Sequence, residues 1–130
     1  MNPQLQVKQA YAESSVLTAS PERLVVMLYD GAIRFLRQAA YAMREGTPEQ
    51  ASDRLARANA ILTELNVALD VERGGEVATR LRMIYLFCKR HTADANLKRD
   101  PARVDAVVDL LSELRESWAQ IADQESAAVA

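Results

Sequence analysis

The sequence predicts an all-α protein: an antiparallel up-down-up-down four-helix bundle with an N-terminal flap segment. Four glycines and four prolines are all that interrupt 130 residues, so long regular elements must dominate. Breaks at Gly46, at Gly74-Gly75 and at Asp100-Pro101 divide the chain into four segments. Within them apolar residues recur at spacings of three and four, and the period-two alternation of strands is missing. Loops this short make successive helices antiparallel neighbours.

The first helix is expected from about Pro21 to Glu45. Ser20 can accept from the free N–H groups of the first turn, and Pro21 suits the first helical position. Gly46 is placed to end the helix in a left-handed conformation. Thr47-Pro48-Glu49-Gln50 resembles a capping box opening the second helix. Its seam is Ala51, Leu55, Ala58, Leu62, Leu65 and Leu69, and Gly74-Gly75 is expected to stop it. The third helix presents Val77, Leu81, Ile84, Cys88, His91 and Ala95 at the same spacing. Asp100 is expected to cap the fourth, with Val104, Val107, Leu111, Leu114, Trp118 and Ile121 as its seam. The organisation is then 1–19 flap or tail, 20–122 bundle and 123–130 frayed C-terminus.

Composition narrows the function. The hydrophobic fraction of 49% suits one folded domain. A net charge of −2 offers no bulk attraction to nucleic acid or an anionic membrane. No stretch approaches the ~20 apolar residues of a membrane span. Met1-Asn2-Pro3-Gln4-Leu5-Gln6 lacks the character of a secretory signal, so a cytoplasmic protein is expected. The single cysteine, Cys88, excludes an internal disulfide and reads as a buried, inert thiol. One histidine cannot supply a di-iron or zinc site, and Gly74-Gly75 lacks the Lys-Ser/Thr of a phosphate loop. No cofactor or catalytic residue is expected, and the chain does not read as an enzyme. The rival reading is a histidine phosphotransfer bundle using His91, although Asp94 nearby is unfavourable for an anion.

What remains is a surplus of apolar surface on the first helix. Wound at 100° per residue, Leu24, Met27 or Leu28, Gly31, Phe35 and Ala39 form the stripe suited to the core. Val25, Tyr29, Ile33 and Leu36 lie partly beyond it. Either the core face is wide, or these residues line a groove for a second apolar partner. In the second case residues 1–19 fold over the groove, anchored by Tyr11, Val16 and Leu17. Burying one such side chain contributes about 1.5–3 kcal/mol, while fixing each residue of the flap costs about 1–2 kcal/mol. A flap so balanced is displaceable by an amphipathic peptide. The same surface also suits a weak homodimer.

Tyr11, Val16-x-Thr18-Ala19-Ser20-Pro21 and Leu24-x-x-Met27-Leu28-Tyr29-Asp30-Gly31-Ala32 resemble the signature of the flagellin-specific export chaperones, the FliS family. Ile61-Leu62-x-Glu64-Leu65, Leu69-Asp70, Gly74-Gly75-Glu76, Leu81-x-x-x-Tyr85, Ala95-Asn96 and Leu114-Arg115-Glu116-x-Trp118 extend the likeness to nearly the whole chain. The resemblance implies a small helical bundle that binds the C-terminal segment of flagellin. Such binding prevents premature polymerisation and keeps the subunit competent for type III export. It also implies delivery to components of the flagellar export gate, by a monomer or weak homodimer that neither binds nucleic acid nor inserts into a membrane. On this view Val25, Tyr29, Ile33, Leu36 and Tyr85 are the expected client-binding residues.

Overall fold

A computed structural model describes residues 18–129, with side chains through residue 125. From Pro21 onward the described residues form four helices in order: α1 (Pro21–Glu45), α2 (Pro48–Val67), α3 (Val71–Lys98) and α4 (Pro101–Val129). The predicted all-α bundle is therefore observed, and among the described residues there is no strand.

Local chemistry sets most boundaries where the sequence expects them. Ser20 Oγ accepts from the Arg23 N–H at 3.2 Å, and Pro21 opens α1. Thr47 and Gln50 make the reciprocal pair of the capping box, at 3.2 and 3.1 Å. Gly46 departs from expectation. It is extended (φ −118°, ψ −151°) rather than left-handed, and its N–H closes the last turn onto the Ala42 carbonyl.

The larger correction concerns Gly74-Gly75, which does not stop the second helix. α2 ends at Val67, and the Asp70 carboxylate accepts from the Arg73 N–H at 3.1 Å to start α3 earlier. An aspartate able to satisfy first-turn donors nucleates the new helix ahead of the glycines. They then fall inside its opening turns, where Gly75 (φ 54°, ψ −128°) interrupts the regular helix. At the other end left-handed Arg99 closes α3, and Asp100 accepts from the Ala102 N–H to cap α4. Helix α4 continues past residue 122 to Val129.

α1 is the spine of the bundle, packing most closely against α2 on one side and α4 on the other. Buried Ala32, Ala39, Ala40 and Ala42 of α1 and Ala51 and Ala58 of α2 permit that approach. α3 stands farther off, touching α2 and α4. On α2 the seam from Ala51 to Leu65 is buried as predicted, with Leu69 packed beside it. On α3, Leu81, Cys88 and Ala95 are buried, but Val77 is 67% exposed and Tyr85 and Thr92 take core places. Thr92 is accommodated because its hydroxyl donates back to the Cys88 carbonyl at 2.9 Å. On α4, Val104, Val107 and Leu111 are buried, whereas Ile121 is 42% exposed.

Candidate interaction surface

The expected groove residues on α1 prove to be core. Tyr29 and Leu36 are fully buried and Ile33 nearly so, in one cluster with Leu55, Leu62, Val104 and Leu111. Tyr85, expected on a neighbouring surface, is 1% exposed in the same cluster. Only Val25 retains partial exposure. Conversely Leu24, assigned to the core stripe, is 37% exposed. The true core arc runs through Val26, Tyr29, Ile33, Leu36 and Ala40, rotated by roughly 150° from the predicted one. A helix flanked on both sides, with a third helix across the core, needs a broad apolar arc. The surplus is thus met from within the chain. The flap anchors Tyr11, Val16 and Leu17 lie outside the described residues.

Tyr29 and Tyr85 join α1 to α3 through the centre. Their hydroxyls lie 2.6 Å apart and their rings, tilted at 55°, have centroids 6.3 Å apart. Either hydroxyl can donate to the other, and Trp118 packs against the same cluster. Burial, reinforced by the Tyr85 bond, raises the Tyr29 pKa, and burial likewise raises that of Tyr85. Burial also pushes the neighbouring Cys88 thiol up to about 11, which keeps it protonated and unreactive as the sequence predicts. The centre is a buried, hydrogen-bonded structural network.

Unsatisfied apolar surface lies elsewhere, on the outward face of α3. Met83 (64% exposed), Leu86, Phe87 and Leu97 occupy the side opposite Leu81, Tyr85, Cys88 and Ala95. Their spacing places them on one outward arc, with Arg90 among them. His91 stacks on Phe87, ring centroids 5.1 Å apart and planes within 18°. A second exposed group, Leu24, Val67, Val77 and Ile121, falls at helix ends that the antiparallel order brings to one end of the bundle. The hydrophobic periodicity misses the α3 surface because it follows the inner seam and treats outward apolar positions as noise. The signal available was the run Met83-Ile84-Tyr85-Leu86-Phe87, apolar on both faces of an otherwise polar helix.

Along the α1/α4 seam, charges are paired across the helices. Arg23 bonds Asp123 at 2.5 Å, Arg115 bonds Asp30 at 2.9 Å, and Arg44 bonds Asp105 at 2.7 Å. Among the described residues, no group of three or more His, Cys, Asp or Glu is arranged to hold a metal ion. No helix there is long and apolar enough to cross a membrane.

Comparison with known proteins accounts for this architecture. The family model described as flagellar protein FliS matches residues 3–125. The chain is 38% identical to flagellar secretion chaperone FliS of Salmonella typhimurium, over 91% of this chain and 88% of that protein. It is 35% identical to the Vibrio cholerae protein of the same name, over 88% of this chain and 84% of the other. For the Bacillus subtilis namesake the figures are 33%, 89% and 86%. The fold matches a crystal structure of a bacterial flagellar chaperone with a TM-score of 0.75 at 18% identity, covering 94% of this chain and 99% of that one. With a family match across nearly its whole length and relatives above 30% identity, the chain belongs to the FliS family of flagellar proteins.

Proposed function

We propose that this chain is a cytoplasmic flagellar export chaperone that binds the C-terminal segment of flagellin. Bound, that segment is kept from premature polymerisation and remains competent for delivery to type III export gate components. Relatives named flagellar secretion chaperones support the coarse role. The exposed Met83, Leu86, Phe87 and Leu97 stripe carries the finer one, because it offers an amphipathic client helix a row of apolar anchors. The proposed client surface therefore shifts from the α1 groove to the outer face of α3. Of the residues first expected to contact client, Val25 keeps that role beside exposed Leu24. Tyr29, Ile33, Leu36 and Tyr85 act by shaping the core beneath it. Residues 1–19, with Tyr11, Val16 and Leu17, serve as the displaceable cover near Val25.

A chaperone family is not an enzyme class, and the phosphotransfer reading of His91 finds no support in these relatives. Its ring is stacked on Phe87 within the apolar stripe. Release of client then follows from competition and mass action. Seeding monomeric flagellin with filament fragments tests the role. An equimolar amount of this chain should suppress elongation; elongation at the unassisted rate would contradict it.

A further inference from the structure

The two flanks of α1 differ in how their arginines are paired. Toward α4, Arg23, Arg44 and Arg115 make cross-helix ion pairs with Asp123, Asp105 and Asp30, while Glu22 and Glu125 meet as like charges at the end of the seam. Toward α2, arginine faces arginine. Arg34 and Arg57 lie over the half-buried Phe35 ring, 5.3 and 5.9 Å from its centroid. One turn along, about 4.5 Å away at three residues' rise, Arg37 and Arg54 line the same open hollow of about 420 Å³. Antiparallel packing thus stacks two arginine pairs in tiers along the seam.

Little within the chain neutralises them. Asp53 holds Arg57 at 3.2 Å and reaches Arg54 only at 3.8 Å. Arg37 takes part in none of the ion pairs among the described residues. It also borders a hollow containing Asp30 and Glu116, but both of those carboxylates bond Arg115 instead. The rest of the first hollow is donor-rich. Gln50 has committed its carbonyl Oε1 to the Thr47 N–H, leaving its NH2 group to donate. The Gln38 amide and the hydroxyl of Tyr41, which is 67% exposed, complete the rim. Like charges facing across a seam repel, and guanidinium forks suit bidentate carboxylates.

We propose that the α1/α2 seam is a docking site for an acidic segment of a partner protein, distinct from the apolar face of α3. Glutamates three or four residues apart on a helix, about 5–6 Å between neighbours, match the tier spacing. Arg37 and Arg54 clasp one carboxylate, and Arg34 and Arg57 take the next. The chain's net charge of −2 argues against a nucleic acid, whose polyanionic backbone meets no favourable overall field. The surface confers local selectivity for acidic side chains on a protein that is itself acidic.

Fluorescein-labelled hexaglutamate, titrated into the full chain at low salt and followed by anisotropy, tests this. Saturable binding that weakens with added NaCl is expected. R37A/R54A should weaken it by about tenfold or more, a loss of about 1.4 kcal/mol or more. R73A/R80A, which changes net charge equally at sites remote from the seam, should leave it within about twofold. Circular dichroism checks that both variants keep the wild-type fold; Arg37, Arg73 and Arg80 are solvent-exposed and Arg54 partly so, so it should be retained. Absence of saturable binding would overturn the proposal, as would equal losses in the two variants. Labelled hexathymidylate binding as tightly as hexaglutamate would overturn it too, by showing an unselective anion surface.

Discussion

The Tyr29 and Tyr85 hydroxyls meet 2.6 Å apart across the core, fastening the spine helix α1 to the more distant α3. The pair is buried, so each hydroxyl depends on the other for its hydrogen bond. Tyr85→Phe strips Tyr29 of one partner and is expected to cost about 1–3 kcal/mol of stability. The double variant Tyr29→Phe/Tyr85→Phe should cost less than the sum of the single variants, because no hydroxyl of the pair is left stranded. Urea denaturation followed by circular dichroism measures both. Additive losses would show that the two hydroxyls act independently.

Cys88 gives the fold an alkaline limit. Burial raises its thiol pKa in the native state to about 11, so above pH 9 the unfolded chain binds fewer protons than the native one. Stability is therefore fully present below about pH 9 and falls as pH rises toward about 11. The raised pKa values of Tyr29 and Tyr85 act in the same direction. Cys88→Ala should flatten the part of the decline between pH 9 and 11, in denaturant melts compared across that range. A thiol reagent at pH 8 should label native wild type far more slowly than urea-unfolded chain.

Gly75 has room for a side chain but not the backbone for one. A Cβ there would meet nothing within 4 Å, yet φ is +54°. Gly75→Ala is thus expected to cost about 1–3 kcal/mol through backbone strain alone. The loss should appear as faster hydrogen exchange in the first turns of α3, with α1 and α4 protected as before. Unchanged exchange in those turns would mean that the break at Gly75 is not maintained in solution.

The architecture was legible because caps and seams are local. Ser20, Thr47 and Gln50 make their bonds within three residues, and the α2 seam from Ala51 to Leu65 follows one face of a helix with one buried side. Gly74-Gly75 misled because Asp70, a stronger local signal, starts α3 before the glycines are reached. The α1 assignment failed for a different reason. How much of a helix is buried depends on how many neighbours it has, and no spacing within Leu24–Leu36 reports that α2 and α4 both press against it. The arginine tiers are equally invisible, since Arg34 and Arg57 become neighbours only when α1 and α2 fold back on each other.

Leu36 and Phe87 separate the two faces most cleanly. Leu36→Ala, in the fully buried core, is expected to cost about 2–5 kcal/mol. Met83→Asp, at an exposed position, should change stability by no more than about 0.5 kcal/mol, and Phe87→Asp, which also gives up its stack on His91, by no more than about 1.5 kcal/mol.

Calorimetric titration with a flagellin C-terminal peptide, run on wild type and on the Met83→Asp/Phe87→Asp variant, is the decisive measurement. One peptide per chain should bind the wild type, and the folded variant should lose at least about tenfold in affinity. A variant that binds the peptide as wild type does would place the client somewhere other than the outer face of α3.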